Sequence, residues 1–209
     1  MVDDMGERQI THFRGIGLDV SPDWVHSSAL DGVACVLVDM GWWPGANRLV
    51  EMARAAGIPS VLDVDLTADA RSAGLLPQVD HAVFSQAALE RMSGSADPLD
   101  GLRWARTRTR ASCCVGVTLG SNGYLWLEGD MPRRMPAHDI EVVDTLGAGD
   151  VFHGAYALGL AEKGDVAGAA ALANAAAALK CTRASGRRGV PSRAEVNELL
   201  AASRGAQRS

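Results

Sequence analysis

A rhythm of short apolar runs, each stopped by a polar residue or glycine, most constrains how this chain can fold. Val33 to Val38 ends at Asp39, Ile58 to Leu62 at Asp63, His81 to Phe84 at Ser85, and Ser112 to Leu119 at Gly120. Unbroken apolar strands need cover on both faces, which is the condition of a parallel sheet between helical layers. Between these runs, Gly45 to Ala56, Gln86 to Met92 and Leu99 to Thr109 read as helices, and Gly57 supplies a stop after the first. Repeated strand and helix predict an α/β fold with a doubly wound, mostly parallel sheet. A short strand at Gln9 to Phe13 precedes the series. Tyr124 to Leu127 and an extended piece ending near Val143 follow it, and helices close the chain at about 148–162, 166–182 and 192–203. Gly164 and Asp165 punctuate the first two of these as helix stop and N-cap.

Composition limits the alternatives. At 209 residues and 47% apolar content the chain suits one globular unit, neither disordered nor a disulfide scaffold. The net charge of −5 excludes a basic nucleic-acid binder; the six arginines against two glutamates in 183–209 read as a solvated helix with a frayed tail. Cys35, Cys113, Cys114 and Cys181 lack C-x-x-C spacing and read as reduced core thiols. Val166 to Cys181 is mostly alanine and too short to span a bilayer, and Met1 leads into Val-Asp-Asp rather than a secretory signal. The expectation is a cytoplasmic protein that binds neither membrane nor nucleic acid.

Ligands of such sheets sit beyond the carboxyl ends of the strands, which directs attention to Asp39, Asp63, Ser85 and Thr118-Leu119-Gly120. Behind them lies Asp144-Thr145-Leu146-Gly147-Ala148-Gly149-Asp150, two glycines before an acid at a helix start. Gly147 and Gly149 let an anion approach the backbone, the free amides of the first turn point at it, and the helix dipole adds attraction. Asp150 then sets a proton acceptor beside a phosphate cradle, as phosphoryl transfer to a hydroxyl requires. A capped helix start, with Asp150 only complementing the dipole, is the competing reading. The G-x-x-x-x-G-K-[ST] loop is absent, and neither Gly15-Ile16-Gly17 nor Gly147-Ala148-Gly149 has the third glycine of a dinucleotide fingerprint. The histidines lack metal-ligand spacing, but His153 falls one turn beyond Asp150. Trp42 and Trp43 read as loop residues covering the sheet edge.

Asp144 to Asp150 followed by Val151-Phe152-His153-Gly154 resembles the second signature of the ribokinase-like (PfkB) carbohydrate kinases. Val117 to Gly123 resembles that family's nucleotide-side strand and glycine turn, Ala173-Asn174-Ala175 to Thr182-Arg183 its adenine-side helix, and Gly189-Val190-Pro191-Ser192 the entry to its last helix. Val83 to Gln86 and Asp39 to Pro44 resemble the ketohexokinase and sulfofructose kinase branch.

The resemblance implies a three-layer ribokinase-like fold and ATP-dependent phosphorylation of a sugar hydroxyl. Asp150 would be the base, with the anion hole at Gly147, Ala148 and Gly149 and the Asp150 amide completing it. Thr118, Gly120 and Gly123 would line the nucleotide phosphates and ribose, Asn174 the adenine, and Gly186 the loop beside it. Magnesium would arrive with ATP, and a monovalent cation such as K+ would sit against Asp144, Leu146 and Cys181. Where many members have Asn-x-x-Glu, this chain has Ser85-Gln86-Ala87-Ala88, which passes the magnesium to Asp63 or Asp65 through water, or to the triphosphate. The chain also starts near the family's lid strand. The expectation is a fragment without the N-terminal strands: residues 1–16 a lid remnant, 30–203 the α/β core, 204–209 a disordered tail; the oligomeric state is open between a monomer and a homodimer, for which a single remnant strand supports only a reduced version of the family's lid-strand contact. The alternative is a truncated nucleotide-binding or interaction module without turnover.

Overall fold

The computed structural model describes residues 17–66, 70–184 and 186–206. The strand expected at Gln9 to Phe13, the lid remnant 1–16, His12 and residues 207–209 lie outside the described residues. One sheet runs in chain order through β1 (Val36–Val38), β2 (Ser60–Val64), β3 (His81–Ser85), β4 (Cys114–Thr118), β5 (Tyr124–Glu128) and β6 (Met131–Met135). β1 to β4 pair in parallel, and β5 and β6 fold back antiparallel. The helices are α1 (Trp43–Ala55), α2 (Gln86–Ser93), α3 (Pro98–Arg106), α4 (Ala148–Lys163), α5 (Val166–Cys181) and α6 (Arg193–Ala206).

Right-handed crossovers between strands that neighbour in order leave their helices on one side. Val50 and Ala53 of α1, Leu89 of α2, and Leu102 and Ala105 of α3 accordingly pack with Leu62, Val64, Ala82, Phe84, Val115 and Val117. The alternate strand residues Val61, Val83, Tyr124 and Trp126 face Phe152, Tyr156 and Leu160 of α4 and the alanines of α5. This is why the sequence shows apolar runs rather than alternation: a core lies on each side of the sheet. The result is the three-layer α/β fold that the rhythm implies.

Local chemistry ends the elements. The Ser85 hydroxyl accepts the Ala88 amide at the start of α2, and Asp97 accepts that of Asp100 at the start of α3. Gly164 closes α4 at φ 72°, and the Asp165 carboxylate caps α5 by accepting the Gly168 amide. α1 begins at Trp43, ahead of the expected Gly45, because Pro44 is preorganised for a first turn. β2 begins at Ser60, after Pro59, which has no amide to give the ladder. The extended piece expected up to Val143 is β6, which stops at Met135; beyond it the chain runs irregularly to α4, anchored where the amides of Val143 and Asp144 donate to the Cys181 carbonyl. α6 carries through Ala206, so helical bonding extends into the expected tail. None of the four cysteines is in a disulfide, and among the described residues no helix is long and apolar enough to cross a membrane.

Candidate active site

The helix that closes the second face, α4, starts at the carboxyl edge of the parallel strands. Gly147, its N-cap, sits at φ 78°, a left-handed conformation that glycine adopts without strain. The Ala148 amide donates to the Thr145 carbonyl at 3.1 Å and closes the turn, and the Val151 amide returns to Gly147. Among the described residues the amides of Gly149 and Asp150 have no acceptor, so of the expected anion-hole amides these two stand open while that of Ala148 is occupied. Asp150 is exposed, with Oδ2 3.8 Å from the point where a Cβ on Gly147 would lie. It lines a cavity of ≈ 820 Å³ together with Leu146, Gly147, Gly154, Lys180 and Gly186.

The expected nucleotide residues form a second group. Thr118 ends β4 and donates its hydroxyl to the Phe84 carbonyl at 3.3 Å. Gly120 and Gly123 make a tight turn, and a Cβ on Gly123 would fall 2.1 Å from the Met135 carbonyl oxygen, so only glycine fits. Asn174, nearly buried, donates Nδ2 to the carbonyls of Met135 and Pro136 at 3.4 and 3.2 Å. Gly123 and Asn174 therefore meet on one segment after β6, whereas Gly186 belongs with Gly147 and Asp150 at the cavity.

Between α4 and the sheet lies a pairing invisible to the sequence. His153 is 3% exposed. Its Nδ1 lies 2.7 Å from the Gly149 carbonyl and 3.3 Å from Asp63 Oδ2, and its Nε2 lies 3.2 Å from the Val83 carbonyl. Each ring nitrogen thus faces a main-chain oxygen, and Nδ1 faces the Asp63 carboxylate as well. The contacts bolt the first turn of α4 to the ends of β2 and β3. Burial pushes the Asp63 carboxyl up to about 6. Asp39, the other candidate acid, accepts the Gly41 amide at 2.7 Å, a loop cap.

The donors near the cavity suit the implied ions unequally. Asp63 is held by His153, and Asp65 accepts from the Ser85 hydroxyl at 2.9 Å and the Leu66 amide at 2.8 Å. Among the described residues no group of three or more His, Cys, Asp or Glu is arranged to hold a metal ion directly, which suits a magnesium ion carried by a triphosphate, with Asp63 and Asp65 within the same acidic cluster as Asp150. The monovalent-cation set does not fit. The Cys181 carbonyl already takes the amides of Val143 and Asp144 at 2.8 and 3.0 Å, and the Lys180 ammonium lies 3.1 Å from the Asp144 carbonyl oxygen and 3.4 Å from its Oδ2. Lys180 belongs to no motif; its one sequence signal is that it is the only charge in the alanine helix Val166–Cys181.

Open amides and an exposed carboxylate on a helix start, set at the carboxyl edge of a parallel sheet, define an α/β protein suited to holding an anion beside a proton acceptor. More narrowly, the chain belongs to the pfkB family of carbohydrate kinases, whose family description matches residues 1–193. It is 40% identical over 84 residues to the ribokinase of Bacillus subtilis (strain 168), an overlap covering 40% of this chain and 29% of that protein. A provisionally assigned ribokinase from Agrobacterium tumefaciens has a similar solved structure, with TM-score 0.83 and 34% identity over 96% of this chain and 66% of that one. Arabidopsis thaliana ribokinase complexed with ribose and ATP shares the fold at TM-score 0.76 and 24% identity, over 83% of this chain and 58% of that one. The chain thus spans less than two thirds of the length of each.

Proposed function

We propose that this chain carries out ATP-dependent phosphorylation of a sugar hydroxyl, with Asp150 as the general base. The observation that carries the reading is the start of α4, where the amides of Gly149 and Asp150 are open and the Asp150 carboxylate is exposed at the cavity. The sugar hydroxyl gives its proton to Asp150 as its oxygen bonds to the γ-phosphorus of ATP, and the bond from that phosphorus to the bridging oxygen of ADP breaks. The amides and the positive end of α4 stabilise the negative charge on the phosphoryl group in transit. Magnesium, held by the triphosphate, supplies charge neutralisation there. Gly120, Gly123, Thr118 and Asn174 shape the nucleotide side, and the ribokinase relatives put ribose and deoxyribose beside ketoses as acceptors to try. Cysteines outside disulfides suit a reducing cytoplasm, and a homodimer belongs to the same reading.

Replacing Asp150 by Asn is expected to lower turnover by about 10²–10⁴-fold while ADP still raises the melting temperature. Turnover retained within about tenfold removes Asp150 from the role of base. A second reading, a nucleotide-binding or interaction module without turnover, is favoured by the apolar rim of the cavity, where Leu146, Leu158 and Val190 are 43%, 49% and 50% exposed. That reading is met if ADP stabilises the chain and no sugar in the panel promotes ATP consumption.

A further inference from the structure

Lys180 is 1% exposed, and an ammonium so far from water needs an anionic or strongly polar partner. Among the described residues that partner is Asp144, through its main-chain oxygen and its carboxylate. Asp144 is bound on its other sides as well: its amide donates to the Cys181 carbonyl at 3.0 Å, and its Oδ1 accepts the Leu146 amide at 2.8 Å. These contacts fasten the last turn of α5 to the segment that leads through Leu146 and Gly147 into the open amides of α4. The carbonyl end of α5 adds a negative field that favours a cation there. The Leu146 amide, helped by Lys180, holds the Asp144 carboxyl below the usual carboxylate range, so the acid stays ionised opposite the ammonium.

We infer that Lys180 is a tethered, resident cation that positions the phosphate cradle of α4, and that this chain needs no alkali-metal ion at Asp144. A free ion at that place would need the Asp144 oxygens the ammonium holds, and two positive charges at contact distance repel. Removing the ammonium leaves an anionic hole that K+ or NH4+ suits in charge and size and that tetramethylammonium is too large to enter. The inference rests on the proposed phosphate site for what the loop does, and on the contacts alone for where the charge sits.

The test compares ADP binding by calorimetry in the chloride salts of K+, NH4+ and tetramethylammonium at equal ionic strength, for the wild type and for Lys180→Met. The wild type is expected to bind ADP equally in all three. The variant is expected to lose about tenfold or more in tetramethylammonium and to recover most of it in K+ or NH4+. A wild type that needs K+, or a variant whose loss no ion repairs, overturns the inference; the second outcome makes Lys180 a packing residue only. Anomalous diffraction from rubidium-soaked wild-type crystals decides the matter even where the variant does not fold: a rubidium peak on Asp144 refutes the tethered cation, and its absence there supports it. A wild type that binds no ADP in any salt defeats the nucleotide reading, while the rubidium map still answers for Lys180.

Discussion

Burial pushes the Asp63 carboxyl up to about 6; His153 opposes the rise, while Asp65, Asp150 and Asp39 add to it. The folded chain therefore binds this proton more tightly than the unfolded chain, whose aspartate titrates near ~3.9. Asp63 contributes most to stability below that unfolded value, and the contribution is lost as pH rises through about 6. Asp63→Asn is expected to flatten this part of the pH profile and to gain about 3 kcal/mol over the wild type above the upper limb. Chemical denaturation across the pH range measures it, and parallel profiles for the two proteins would show that burial of this carboxylate costs nothing. Asp63 and His153 were each visible in the sequence, one as the end of an apolar run and the other as a histidine one turn beyond Asp150. Their pairing was not, because it depends on how α4 crosses the ends of β2 and β3.

Helix packing shows which small residues are structural. A Cβ on Gly159 of α4 would lie 2.6 Å from the Ala169 Cα of α5, which is backbone and cannot swing aside, whereas a Cβ on Gly154 of the same helix meets nothing within 4 Å. Alanine at either position gains about 1 kcal/mol of helix propensity, but at Gly159 the overpacking, about 1–3 kcal/mol, outweighs it. Gly159→Ala is expected to lower the melting temperature and Gly154→Ala to raise it; equal shifts would mean that α4 and α5 do not pack this closely. At this scale the sequence was most legible, since Gly164, Asp165 and Ser85 announce their caps by residue type alone. Boundaries moved where proline intervened, at Pro44 and Pro59, and β6 was hard to see because Pro132, Arg133 and Arg134 give an edge strand no apolar pattern.

Among the described residues the sheet has two unlike edges. β6 presents proline and arginines, which resist pairing, whereas β1 is three residues long and leaves Leu37 40% exposed. Self-association through β1, a contact distinct from the lid remnant, is expected, and Leu37→Lys is expected to weaken it by about tenfold or more in sedimentation velocity; a wild type monomeric at every concentration would end the homodimer reading by either route. Periodicity and capping chemistry are local, so the sequence by itself determined the alternation of strands and helices, the helix start at Gly147 to Asp150 and the resemblance to a kinase family. Charges and close approaches depend on residues far apart along the chain. Only the tertiary structure therefore decided that α4 and α5 cover the second face, that His153 binds Asp63, and that the ammonium of Lys180 occupies the Asp144 oxygens where a free cation was expected. Each of these required the packed core to bring its partners within hydrogen-bonding or contact distance, something no spacing along the sequence encodes.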